Sequence, residues 1–184
     1  TQNNPLYGEE LWRTNGTNEG TYLVRDIAEG KYGSDPRYFI CFKNELYFIA
    51  DHPAYGTEIW KSDGTDNGTL LLKDIYQGVN SALKKRPEFC IVGNYLYFIA
   101  FHQDYGYELW RTDGSGNGTN IVKDIIPGEE PSYSSFISLN EYNGKLTFSY
   151  YKQGLGREMW ISDGTETGTK ILKDIDPDWR SSGP

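Results

Sequence analysis

The strongest constraint on this chain is a phrase that recurs four times: Glu, then Leu, Ile or Met, then Trp, two further residues, and Asp-Gly-Thr or a close variant. The tryptophans are Trp12, Trp60, Trp110 and Trp160, so the steps are 48, 50 and 50 residues. Each is followed 14 residues later by an aspartate: Asp26, Asp74, Asp124 and Asp174. Self-similarity at a fixed period of this length marks an array of one supersecondary unit, in which stacked neighbours bury a shared core.

The unit reads as four short strands, labelled A to D. In the second repeat Tyr38 to Phe42 is an apolar run and Lys43-Asn44 a turn. Glu45 to Ala50 is a second run, rich in aromatic and β-branched residues, and Asp51 to Gly56 is a loop. Thr57 to Lys61 carries the tryptophan, Ser62 to Gly68 has turn chemistry, and Thr69 to Lys73 is the last run. Gly, Asn and Asp separate these runs, and none has helical period. The run Leu70-Leu71-Leu72 is expected to be covered on both sides. Hydrophobic residues are 37% and aromatics 15%, so burial comes in large pieces of about 150–250 Å² each.

Four antiparallel strands per repeat predict an all-β fold built as a β-propeller, with about 3.5 blades in this chain. The expected layout is a single repeat domain over 1–184: a half-blade at 1–30, then blades at ~31–78, ~79–128 and ~129–178. The first repeat contributes only its C and D strands, so fourteen strands are expected, with the tryptophans buried between blades. The missing A and B partners would lie upstream of Thr1, in a longer propeller. A ring of two chains is the alternative. The open edge of the half-blade invites association.

The phrases Glu58-Ile59-Trp60-Lys61-Ser62-Asp63-Gly64-Thr65 and Glu108-Leu109-Trp110-Arg111-Thr112-Asp113-Gly114-Ser115 resemble the ELWxxDGT repeat family. The tail Gly68-Thr69 through Lys73-Asp74-Ile75 is similar as well. The resemblance covers essentially the whole chain. It implies a secreted or cell-surface location and a repetitive β-architecture, and it implies no activity. Departures are Asn15 for the motif aspartate, Ser115 for its threonine and Leu155 for a tyrosine before the glycine.

The net charge of −8 and a pI near 4.8 disfavour nucleic acid as a partner, which needs a basic stripe to displace counterions. No apolar stretch is long enough to insert in a membrane. Cys41 and Cys90 lie on similar strands, offset by one residue, and are read as two buried free thiols rather than a bridge. Zinc, phosphate-loop, dinucleotide and nucleophile-elbow patterns are absent, so the sequence carries no catalytic signature.

Two readings of the acidic motif residues stand side by side. Asp63, Asp113 and Asp163, with Asp26, Asp74, Asp124 and Asp174, either cap turn amides or hold Ca²⁺ at each Asp-Gly-Thr turn. In the first reading Glu10, Glu58, Glu108 and Glu158 pair with Lys or Arg on a neighbouring strand. The tryptophans are assigned to packing rather than to sugar stacking. Asn15, Asn67 and Asn117 open Asn-Gly-Thr triplets that belong to the repeat rather than to glycosylation.

In propellers the B–C and D–A connections open on one face, and here those connections diverge between repeats. They supply the candidate ligand-binding residues Tyr32, Arg37, His52, Tyr76, His102, Asp104, Tyr105 and Tyr133. Their Tyr, His, Arg and Asp side chains suit hydrogen bonding with stacking, on loops held by a rigid scaffold. The expected function is a non-enzymatic extracellular binding or adhesion module, lectin-like, for a glycan or protein ligand and with no cofactor other than Ca²⁺. A structural or assembly repeat of a larger surface protein, or part of a propeller hydrolase, are the alternatives.

Overall fold

A computed structural model describes residues 2–84, 86–125, 127, 136–152 and 155–173. Among them there is no helix, and fifteen strands form four separate antiparallel sheets. The chain divides into two compact units, Thr1–Arg86 and Pro87–Pro184, with two sheets each. Tyr133, Asp174 and the loop 128–135 lie outside the described residues.

In the first unit, β1 (Gln2–Asn4), β2 (Gly8–Arg13) and β3 (Tyr22–Arg25) form one sheet. The other is β4 (Arg37–Phe42), β5 (Glu45–His52), β6 (Gly56–Ser62) and β7 (Leu70–Leu71), paired in chain order. In the second unit, β8 (Phe89–Val92), β9 (Tyr95–His102), β10 (Gly106–Thr112) and β11 (Asn120–Lys123) pair likewise. So do β12 (Phe136–Tyr142), β13 (Lys145–Lys152), β14 (Gly156–Ser162) and β15 (Lys170–Ile171). Each four-stranded meander is a propeller blade in form.

The first repeat differs from expectation. It holds three strands rather than two, because Gln2–Asn4 pairs with Gly8–Glu10. Asn4 closes that hairpin: its carbonyl accepts from Tyr7 N at 3.2 Å and its side chain from Leu6 N at 2.8 Å. A three-residue polar segment carries no apolar alternation, so the strand was not legible.

Turn chemistry sets the register. Lys43-Asn44 and Asn143-Gly144 all have positive φ, between 50° and 75°, as two-residue hairpin turns of matching twist require. Gly56 opens β6 at φ 61°, and its Cα passes so close to the Asn80 carbonyl that no Cβ fits. Gly8 meets the backbone of Tyr32 and Gly33 in the same way, so in the first unit these glycines are where the D–A loop folds back on the sheet.

Within each unit the two sheets pack face to face. Leu11, Val24 and Ile27 of the first sheet meet Phe48, Ala50 and Trp60 of the second. Leu109, Val122 and Ile125 share a core with Phe148, Tyr150 and Trp160 in the same way. Trp60, Trp110 and Trp160 are buried, but Trp12 is only half-buried. The D strands are shorter than expected: β7 and β15 span two residues each, and β3 and β11 four, the latter two with a register shift at Leu11/Trp12 and at Leu109/Trp110. Leu70 is 46% exposed, so that strand is not covered on both sides. Cys90 is buried as expected, whereas Cys41 is exposed; the one-residue offset turns it to the other face.

Candidate functional site

The polar groups of the Asp-Gly-Thr turns are spent inside the fold. Asp63 Oδ1 accepts from Thr65 N at 2.8 Å and from Thr65 Oγ1 at 2.7 Å, which holds its carboxyl below the usual range. Asp113 with Ser115, and Asp163 with Thr165, repeat the arrangement. A Cβ at Gly68 would collide with the Asp63 carboxylate, so the glycine is a steric need. Beneath the turn, Ser62 and Thr69 exchange a buried hydroxyl bond at 2.7 Å, matched by Ser162 and Thr169 at 2.6 Å. Among the described residues no three His, Cys, Asp or Glu side chains converge to hold a metal ion.

The motif glutamates do something the sequence did not suggest. Glu10, Glu58, Glu108 and Glu158 are buried, and three of them accept from backbone amides of the following D–A loop. Glu10 takes Ala28 N at 2.9 Å and Ser34 Oγ at 2.6 Å; Glu58 takes Tyr76 N, and Glu108 takes Ile125 N, both at 3.1 Å. These bonds replace the expected pairing with Lys or Arg. Burial pushes the Glu58 carboxyl up to about 8, against the opposing amides of Tyr76, Ile75 and Ala82.

The motif cations bind across sheets instead. Arg25 Nη1 donates to Thr69 O at 2.9 Å and to Asp66 O at 3.3 Å. Lys123 Nζ donates to Thr169 O at 3.1 Å and to Glu166 O at 3.4 Å. Each cation stands 13 residues after its tryptophan and reaches the C–D turn of the next sheet in its unit. The recurring Lys/Arg-Asp-Ile tail was the available signal.

With the motif so occupied, the divergent loops of the first unit frame two clefts beside the B–C loop. Tyr32, His52, Asp51, Thr57 and Ser81 line one of about 310 Å³. Tyr32 is 85% exposed there, and Arg37 pairs with Asp51 at 3.1 Å and Asp35 at 3.0 Å. Arg25, Asp26, Glu29, His52, Tyr55 and Trp60 line the other, of about 540 Å³. His52 stacks on Tyr55 at 4.6 Å and lies 5.7 Å from Trp60. Its Nδ1 accepts Ala54 N at 3.0 Å, which leaves the ring proton on Nε2. Burial, then Arg25, lower its pKa against Glu29, so the imidazole is neutral at pH 7.

Trp60 Nε1 and Asp26 Oδ1, of residues lining this second cleft, are buried with no hydrogen-bond partner among the described residues, as are the equivalent Trp12 and Trp160 Nε1 and Asp74 and Asp124 Oδ1. Asp26 Oδ2 is occupied, accepting Gly30 N at 3.3 Å. Asp26 and Trp60, read from the sequence as scaffold, both line this cleft, which packing of two repeats creates. Of the expected ligand-binding residues, Tyr32, Arg37 and His52 gather around this B–C loop. Tyr76 is half-buried and gives its amide to Glu58. His102, Asp104 and Tyr105 form a matching loop in the second unit, with His102 stacked on Tyr105 at 5.0 Å and Asp104 3.8 Å from its ring nitrogen.

No protein-family model and no curated protein matches this chain. Among solved structures it is similar to an alpha-L-arabinofuranosidase from Clostridium thermocellum, at 16% identity. The match covers 85% of this chain and 58% of that enzyme, with a TM-score of 0.34. A likeness that weak carries neither fold nor activity across; the all-β architecture rests on the four sheets themselves.

Proposed function

We propose that this protein is a non-enzymatic extracytoplasmic binding module that takes a carbohydrate in the cleft between Arg25-Asp26 and His52–Trp60. One observation carries this reading. The cleft sets the stacked His52 and Tyr55 rings beside the Asp26 side chain. A sugar hydroxyl donates and accepts at once, and the sugar's C–H face suits an aromatic wall. Arg25 and Glu29 supply further polar contacts on the rim. The resemblance to the ELWxxDGT repeats supports the extracytoplasmic setting, and the acidic surface favours a neutral glycan over a polyanion.

A glycan array followed by titration of the best ligand tests the reading. Asp26→Asn and His52→Ala should each weaken binding roughly tenfold or more, while His102→Ala in the second unit leaves it unchanged. Silence across the array, or equal binding by all three variants, refutes the site. Release of reducing sugar from a bound glycan would make the protein a hydrolase instead, with Asp26 and Glu29 as the first carboxylates to replace.

A further inference from the structure

Two D–A loops of the first unit are built alike and differ at one buried atom. Asp35 N donates to Glu9 O at 3.1 Å, and Leu83 N donates to Thr57 O at 3.2 Å. Gly8 runs against the backbone at Tyr32 and Gly33, and Gly56 against the backbone at Asn80 and Ser81. Ser34 and Ala82 therefore occupy the same place, each 24 residues after its motif glutamate and each fully buried.

What the two residues offer the glutamate differs. Ser34 Oγ donates to Glu10 Oε2 at 2.6 Å and Ala28 N to Glu10 Oε1 at 2.9 Å, so both oxygens of that carboxyl are engaged. Ala82 has no hydroxyl. Glu58 holds the Tyr76 N–H on Oε1, but its Oε2 is buried with no hydrogen-bond partner among the described residues. A negative charge there lies out of water and one donor short. The residue opposite Glu58 on β5 is Ala50, which carries no charge, and the charged neighbour that bears on it is Asp74. Burial, then the Asp74 charge, keep the carboxyl protonated up to about 8, against the amides of Tyr76, Ile75 and Ala82.

We propose that Glu58 is a proton-operated latch on the loop from Tyr76 to Leu83, shut while its carboxyl carries a proton and loosened as that proton leaves. An open loop lets water supply the donor that Ala82 lacks. Opening parts Ser81 from Thr57, to which its hydroxyl is bonded through the Thr57 amide at 3.0 Å and the Thr57 hydroxyl at 3.1 Å. The cleft of about 310 Å³ then loses its Ser81 wall, and the buried Ala82 and Leu83 come into solvent. The loop over Glu10 has its serine and stays shut. Opening at Glu58 releases one proton at any pH between the carboxyl's ordinary 4.5 and its closed value of about 8. The opening equilibrium therefore rises by up to tenfold per pH unit across that window and levels off above it.

Amide hydrogen exchange of the whole chain from about pH 5 to about pH 8, corrected for the intrinsic rate at each pH, reads local opening of this kind. Protection at Tyr76 and Leu83 should fall by up to tenfold per pH unit, while that at Ala28 and Asp35 in the Glu10 loop stays flat. Glu58→Gln should remove the slope, because an amide does not ionise. Ala82→Ser should reduce it by supplying the missing donor, and Ser34→Ala should create a slope at Ala28 and Asp35. Matched thermal melts show that the variants are folded; if Ala82→Ser fails that check, Glu58→Gln and Ser34→Ala decide between them. Equal slopes at the two loops of the parent overturn the inference. So does a slope at Tyr76 that survives Glu58→Gln, or a Ser34→Ala loop that stays flat.

Discussion

Glu58 Oε1 accepts the backbone N–H of Tyr76 at 3.1 Å, across 18 residues of chain. The bond ties strand β6 to the loop that leads away from the sheet. Glu58 is 0% exposed and its carboxyl holds its proton up to about pH 8. The unfolded chain releases that proton near 4.5. Folding therefore favours proton uptake between those values.

The sign of the pH effect follows. The stabilising contribution of Glu58 is complete below about pH 4.5, falls as pH rises, and is lost above about pH 8. Glu58→Gln keeps an oxygen for the Tyr76 amide and cannot ionise. The melting temperature of that variant minus that of the parent should grow from pH 5 to pH 8 and then level off. A difference that stays flat over this range shows that Glu58 is ionised in the fold.

The Asp-Gly-Thr turn offers its own control. Thr69 Oγ1 is bonded to Ser62 Oγ at 2.7 Å and to Thr65 O at 2.7 Å, fully buried. Thr69→Val keeps the shape and strands those partners, at about 1–3 kcal/mol by chemical denaturation. Thr21→Val removes the matching bond to Thr14, but water can replace it there. Its cost should be clearly smaller. Equal losses would mean that burial does not decide the strength of this turn.

Arg25 ties two sheets together through Thr69 O and Asp66 O. The Asp66 carboxylate is 4.0 Å away and 73% exposed, so it adds little. Arg25→Met should lower stability by about 1–3 kcal/mol, in the range of hydrogen bonds to charged groups. Arg25→Lys should recover most of the loss, because Lys123 makes the same two contacts in the second unit. An Arg25→Lys variant as unstable as Arg25→Met would show that only the guanidinium fork fits.

The two thiols should separate in alkylation. Cys41 is exposed, while Cys90 is buried and its thiol is pushed up by burial and by Glu141. In the folded protein at pH 8, one equivalent of label should attach at Cys41, with Cys90 reacting only after unfolding. Peptide mapping that finds both labelled at similar rates would contradict the placement of β8.

The period of the tryptophans and the chemistry of the turns were enough to assign the four-stranded meander, because both act over a few residues. A positive φ at Lys43-Asn44 or a glycine beside the Asp63 carboxylate is a local need, written locally. The short first strand, Gln2–Asn4, was not legible, since three polar residues carry no period. Nor was the fate of the charged motif residues. Glu58 reads as the partner of a Lys or Arg on a neighbouring strand until the D–A loop closes over it, and nothing local to Arg25 announces the Thr69 O that the next sheet brings to it. The cleft has the same origin: Asp26 and Trp60 are 34 positions apart, and share one wall only because two sheets stack. The sequence by itself determined the repeating unit and its turns. Only the tertiary structure decided which polar atoms are consumed inside the fold, because their partners come from a loop that closes over the sheet or from a neighbouring copy of the repeat.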